Sequence, residues 1–259
     1  MREDGYTVLE MLACVFVLAL FILFGAPAAW EVYKRSSLAS SANNIRQLTA
    51  GAASYLADND HRFWSFCENK VTTMDNYGNK VTGARWWFGF ESDGSKGRGE
   101  GKRSFDASES PLAGYVPAGI RPDPSFAFTG AAFKPKYRCG YIGVAYNVEL
   151  AGGWVASKRF QPLSYWELSD PSQVVVFATS AQVNTFQSPA SPDHPMLEEF
   201  YGIDHRETTV HFRHGGLAMV GFANGSCGLL PMEESTRDPR MPEANVGRFA
   251  PVGSFKYLK

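Results

Sequence analysis

From Met11 to Ala29 the chain reads MLACVFVLALFILFGAPAA, and no other feature limits its folding as severely. With Tyr6 to Leu9 ahead of it, the run exceeds the ~20 apolar residues that a membrane-crossing helix needs. Such a helix hides its side chains in a bilayer or among neighbouring helices. Glu10 stands at the leading edge of the run, where an ionised carboxylate in hydrocarbon is costly and requires a partner. An acid in that place marks a function beyond simple anchoring. Pro27 follows Gly25 inside the same run. Its missing N–H and its ring either kink the helix or end it at Ala26, and the helical spacing that resumes afterwards favours the kink.

The residues Gly5-Tyr6-Thr7-Val8-Leu9-Glu10 resemble the cleavage and methylation site of prepilins, G-F-T-L-x-E, with Tyr6 in place of the usual Phe. The resemblance implies that a membrane-embedded prepilin peptidase cuts after Gly5, that Tyr6 becomes the N-methylated first residue, and that Glu10 is the fifth residue of the mature chain. It also implies that Glu10 pairs with the N-terminal amine of a neighbouring subunit in a low-dielectric bundle, which neutralises both charges and sets register. The leader, residues 1–5, carries Arg2 but also Glu3 and Asp4, a departure from the usual basic leader. The competing reading is an ordinary secretory signal. That reading lacks an A-x-A cleavage site after the apolar run, and helical spacing continues past it.

From Glu31 to Ala57 polar residues enter, yet Val32, Leu38, Ala42, Ile45, Leu48, Ala52, Tyr55 and Leu56 recur at three- and four-residue steps. The helix therefore continues with one apolar stripe until the Asp58-Asn59-Asp60 turn. Strand-rich runs follow at Tyr141–Val148 and at Gln173–Ala178, the second after the Asp170-Pro171-Ser172 turn. Leu217–Phe222 and Cys227–Leu230 flank Ala223-Asn224-Gly225-Ser226, where the Asn-Gly pair predicts a type I′ hairpin. The expected class is α+β, a long N-terminal helix packed on an antiparallel sheet, which the resemblance equates with the pilin fold. The expected divisions are a leader at 1–5, a transmembrane helix at 6–30, its amphipathic continuation at 31–58, a β-rich head at 59–231 and an irregular tail at 232–259. Glu91–Asp106 reads as a solvated loop, with Lys96, Arg98, Lys102 and Arg103 as candidates for phosphate or an acidic partner. The aromatics of Arg85-Trp86-Trp87-Phe88-Gly89-Phe90 read as core or interface, with a sugar-stacking platform as the functional alternative.

Nine residues separate His214 from Asn224-Gly225. The spacing resembles the H-x9-DG element near the C-terminus of many bacterial prepilin-like proteins, with Asn224 in place of Asp, and Ala145-Tyr146-Asn147 and Asp170–Ala178 resemble its companion pieces. Asn serves a tight turn as well as Asp does, but not a role that needs a carboxylate. His214 is expected to hydrogen-bond at the start of a strand rather than to catalyse. His194, His205 and His211 lie nearby among acids. Calcium takes oxygen ligands, so Asp193, Glu198, Glu199 and Asp204 are its candidates against a solvated loop, and no other cofactor is expected. Cys14 lies in the apolar run, which leaves Cys67, Cys139 and Cys227 for one disulfide and one spare thiol. The spacing does not identify the pair. Cys67 with Cys139 is preferred, because Cys227 falls in an expected strand, where a buried thiol is common.

Across 259 residues, 25 basic and 26 acidic side chains leave a formal charge of −1, which removes the electrostatic case for nucleic acid as a partner. No G-x-S-x-G, H-E-x-x-H or P-loop is present, so no enzyme is expected. The resemblance implies a structural subunit of a type IV pilus-like or type II secretion filament. It would cross the inner membrane once, with its head in the periplasm, and its partners would be the prepilin peptidase, the assembly platform, and further copies or other pilin-like subunits through the helix. The alternative is a membrane-anchored module, exported by the same route, that presents its head to polysaccharide or secreted proteins.

Overall fold

The computed structural model describes residues 7–250, apart from 76, 117–118, 121, 124, 127–131, 139–141 and 157–160. Helix α1 spans Val8–Asp58 and ends where the Asp-Asn-Asp turn predicts. The chain divides into two compact units, residues 1–39 and 40–259.

The first unit is helical from Val8. Its apolar side chains, Phe16, Phe21, Ile22 and Phe24 among them, are exposed on every face. A helix without a polar side belongs in lipid or in a bundle, and this one is long and apolar enough to cross a membrane. It runs unbroken through Pro27, so the helix does not end at Ala26. The proline's missing N–H leaves the Leu23 carbonyl without its intrahelical donor.

The second unit begins with the rest of α1. Ser41, Ile45, Leu48, Thr49, Ala52 and Leu56 are buried, one stripe at helical spacing. Val32, placed on the same stripe by sequence, is exposed. Three strands follow as an antiparallel meander, β1 (Cys67–Met74), β2 (Lys80–Trp86) and β3 (Gly89–Ser92). A short helix, α2 (Asp93–Lys96), comes next, then β4 (Phe133–Lys134), β5 (Val144–Asn147), β6 (Val175–Thr179), β7 (Gln182–Asn184), β8 (Met196–Glu198), β9 (Gly202–Ile203), β10 (Val210–His211), β11 (Leu217–Phe222), β12 (Cys227–Pro231) and β13 (Val246–Gly247). The largest sheet has the order β12-β11-β6-β5-β9, and β4-β8-β7 and β10-β13 form two smaller ones.

Helix and large sheet meet at Gly221 of β11, where an added Cβ would lie 2.2 Å from Thr49 Oγ1 and 2.9 Å from Ile45 Cγ2. Only a residue without a side chain allows that approach. On the sheet, Ala145, Val175, Ala178, Ala218 and Val220 join Ile203, Val210 and Phe212 in an aliphatic core. Trp64, Trp87, Phe88, Tyr146, Phe177 and Tyr201 form an aromatic one, with Trp64 stacked on Tyr146 at 4.6 Å.

The α+β class holds, with four departures from expectation. The sheets are mixed, since β5 pairs with β9 and β4 with β8 in parallel. Each of these pairs joins strands far apart in sequence, and long connections permit parallel neighbours where tight hairpins do not. The β11–β12 turn is not type I′. Its positive φ is confined to Gly225 (+90°), Gly225 N–H donates to Phe222 O, and Asn224 Oδ1 accepts from Ser226 N–H, the pattern of a type I turn closed by a glycine bulge. The primed turn lies at the other end of β11, where Gly215 and Gly216 both have positive φ and His214 and Leu217 exchange backbone hydrogen bonds. The Glu91–Asp106 loop is anchored rather than solvated throughout. Glu91 is fully buried and receives Arg103 through two bonds of 2.7 and 2.8 Å. Last, the expected irregular tail from 232 belongs to the head, since Met232, Asp238, Val246 and Phe249 are buried and β13 pairs with β10. The final residues, 251–259, lie outside the described ones.

Candidate functional site

Thr7 and Glu10 open α1 as a reciprocal cap. Thr7 N–H and its hydroxyl donate to Glu10 Oε2 at 2.8 and 2.9 Å, and Glu10 N–H donates to Thr7 Oγ1 at 3.3 Å. The cap satisfies backbone N–H groups that a helix start otherwise leaves unpaired. Its sequence signature, T-x-x-E, is present but overlaps the cleavage-site pattern, so sequence reading assigned the glutamate to assembly and missed the cap. Gly5, Tyr6 and the leader lie outside the described residues. Pro27 sits within the exposed apolar stretch.

Where the docked part of the helix begins, a buried ion pair ties four distant segments together. Arg213 donates from Nη2 to Asp123 Oδ2 (2.7 Å) and to Gly143 O (2.6 Å), and from Nε to Ser125 Oγ (2.7 Å). Ser41 on α1 donates to Asp123 Oδ1 at 2.6 Å. Burial raises the Asp123 carboxyl, but Arg213 and the Ser41 and Ser125 hydroxyls outweigh it and hold the group below the usual carboxylate range. His214, which opens the spacing to Asn224-Gly225, follows Arg213 directly in the chain. Burial and the Arg213 cation push His214 down to about 4, and its Nε2 is enclosed without a partner. The side-chain hydrogen bond expected at the strand start is therefore not made at Nε2, and it is the His214 backbone that exchanges hydrogen bonds with Leu217. His211, also buried, is held well below the usual imidazole range by burial and by Arg213, and Asn224 and Gly225 form the opposite turn.

The four carboxylates expected for calcium do not converge. Glu198 faces Lys134 at 3.2 Å and Lys136 at 3.1 Å and also accepts from Asn184. Glu199 Oε1 accepts the N–H groups of Lys136 and Tyr137, both at 3.0 Å. Asp204 closes a turn by accepting from Arg206 and Glu207, and Asp193 is exposed. Among the described residues no three His, Cys, Asp or Glu gather as metal ligands. His194 is exposed in a turn with Ser191, and His205 contacts Glu149. Cys14, Cys67 and Cys227 are free thiols, Cys67 is buried, and Cys139 lies outside the described residues. Of the loop cations, Lys96 faces Asp93 and Arg103 is committed to Glu91, while Arg98 and Lys102 are exposed. Trp87 and Phe88 are fully buried, and Trp87 Nε1–H donates to Tyr201 O, so these two are core.

Compared with protein-family models, with curated proteins and with solved structures, the chain matches none. Its function is therefore argued from its own residues.

Proposed function

We propose that this chain is a prepilin-like structural subunit, cleaved after Gly5 and anchored by α1 with its head on the far side of the inner membrane. It assembles into a type IV pilus-like or type II secretion filament with the pilin fold as its frame. The observation that carries the reading is Glu10, the acid that opens the otherwise uncharged apolar run through Trp30, three residues after a prepilin-type Gly-Tyr-Thr sequence. In the free chain Thr7 occupies this carboxylate. In the filament, the new N-terminal amine of a neighbouring Tyr6 takes it over, which cancels two charges that a bilayer would otherwise penalise.

Capping and charge pairing predict different mutants. Gln serves a capping box as Glu does but carries no charge. Glu10→Gln should therefore leave cleavage and helicity intact and abolish incorporation into filaments imaged by electron microscopy, as Glu10→Ala should. Normal filaments from Glu10→Gln, with loss confined to Glu10→Ala, would reduce the residue to a cap. N-terminal sequencing of the mature protein should start at methylated Tyr6. A start beyond Ala29 would replace the proposal with an ordinary secretory signal.

A further inference from the structure

Trp166 is 70% exposed, which leaves most of its indole open to a ligand. It is also held rigidly. Ser164 and Glu167 form a capping box around its short helical turn, and its ring meets His61 edge-to-face at 4.9 Å. Residues 61–63 run antiparallel to 163–165, with Tyr165 N–H donating to His61 O at 2.7 Å and Phe63 N–H to Leu163 O at 2.9 Å. The continuation of the same ribbon, Ser65 on one side and Gln161 and Pro162 on the other, lines an open groove of about 580 Å³. Arg85 lies in that groove between two carboxylates, 3.0 Å from Glu109 and 3.7 Å from Glu68. Three residues of chain separate Pro162 from Trp166, so their Cα atoms are at most about 14 Å apart.

The chemistry of this surface selects its ligand. The groove offers planar donors and planar acceptors side by side, a guanidinium and two carboxylates, each with edges suited to paired hydroxyls. Its charges nearly cancel once Arg62 of the ribbon is counted, so nothing favours phosphate or a polyanion. The indole face suits the C–H side of a sugar ring, apolar on the face and polar at the rim. We infer that this surface binds a neutral glycan strand, one ring stacked on Trp166 and its neighbours hydroxyl-bonded along Arg85, Glu68 and Glu109. The inference stands apart from the filament reading, since it concerns the head alone. It also moves sugar recognition away from Trp87 and Phe88, which are buried.

The full chain, held in a detergent without a sugar headgroup, is run through native gels that contain an α-glucan, a β-glucan, a galactomannan or alginate. At least one neutral polymer should retard it, and alginate should not do so more strongly. Trp166→Ala should raise the polymer concentration for half-retardation tenfold or more, while Phe186→Ala, which removes another exposed aromatic, leaves it unchanged. Thermal melts should show that both variants are folded. The inference is overturned if no neutral polymer retards the chain, if Trp166→Ala is retained as well as the parent, or if alginate is preferred.

Discussion

Glu199 is a fully buried carboxyl of the head. One oxygen accepts two backbone N–H groups, the other is enclosed near the Tyr201 hydroxyl, and burial pushes the group up to about 7. A carboxyl raised in the folded state contributes stability that is whole below its unfolded value near 4.5 and is lost as pH rises through about 7. Gln keeps the acceptor oxygen and needs no ionisation. Glu199→Gln should thus be more stable than the parent at pH 8, by up to about 3 kcal/mol, with the gain vanishing near pH 4.5. Urea denaturation at the two pH values checks this, and an equal gain at both would remove the ionisation argument. His214 works in the opposite sense, since its ring is neutral when folded. Its contribution is whole above about 6.5 and disappears as pH falls through about 4. A second residue-scale test concerns Gly221. Gly221→Ala should cost about 2 kcal/mol because its methyl would overlap Thr49 Oγ1. Adding Thr49→Ala should recover part of that loss, and strict additivity of the two changes would show that this contact is not what the glycine serves.

Among the elements, what depends on neighbours in sequence was legible and what depends on distant ones was not. The end of α1 at Asp58, its stripe from Ile45 to Leu56 and the strands β6, β11 and β12 all follow from local periodicity and turn residues. The turn between β11 and β12 was located correctly but mistyped, since Asn-Gly suits both the primed turn and the type I turn with a glycine bulge, and strand register decides between them. The parallel pairs, the strand hidden in the expected tail and the pairing of Glu91 with Arg103 carry no local signal. The same is true of Asp123 and Arg213, which stand 90 residues apart. Their joint is also where α1 is fastened through Ser41. Asp123→Ala should cost about 3–5 kcal/mol, because it strands a buried guanidinium and removes the acceptor for Ser41. A loss below about 1 kcal/mol in chemical denaturation would mean that Arg213 finds other acceptors, Gly143 O among them.

At the scale of the whole molecule, the boundary of the folded head can be placed. The stretch long and apolar enough to cross a membrane was legible because that property is decided by composition over a window, not by contacts. Sequence divided the helix at residue 30, where polarity begins, but the compact units divide between Ala39 and Ser40. The two boundaries measure different things. Polarity tells where the membrane-compatible run ends, whereas packing begins with the first side chain that a partner covers, and that is Ser41, fully buried against Asp123. Every buried residue of α1 lies at or after it. The preceding turns, from Glu31 onward, add surface ion pairs such as Lys34 with Glu31, which contribute little. An isolated helix as short as residues 40–58 is marginal in water, but this segment is held by its packing on β11. A chain that begins at Ser40 should therefore remain soluble without detergent and unfold cooperatively. Its stability in urea should lie within about 0.5 kcal/mol of the full chain in micelles, the scatter of an ordinary surface change. The full chain should sediment with membranes, and the shortened one should not. If the shortened chain were aggregated or lacked a cooperative transition, residues before 40 would be part of the head's core.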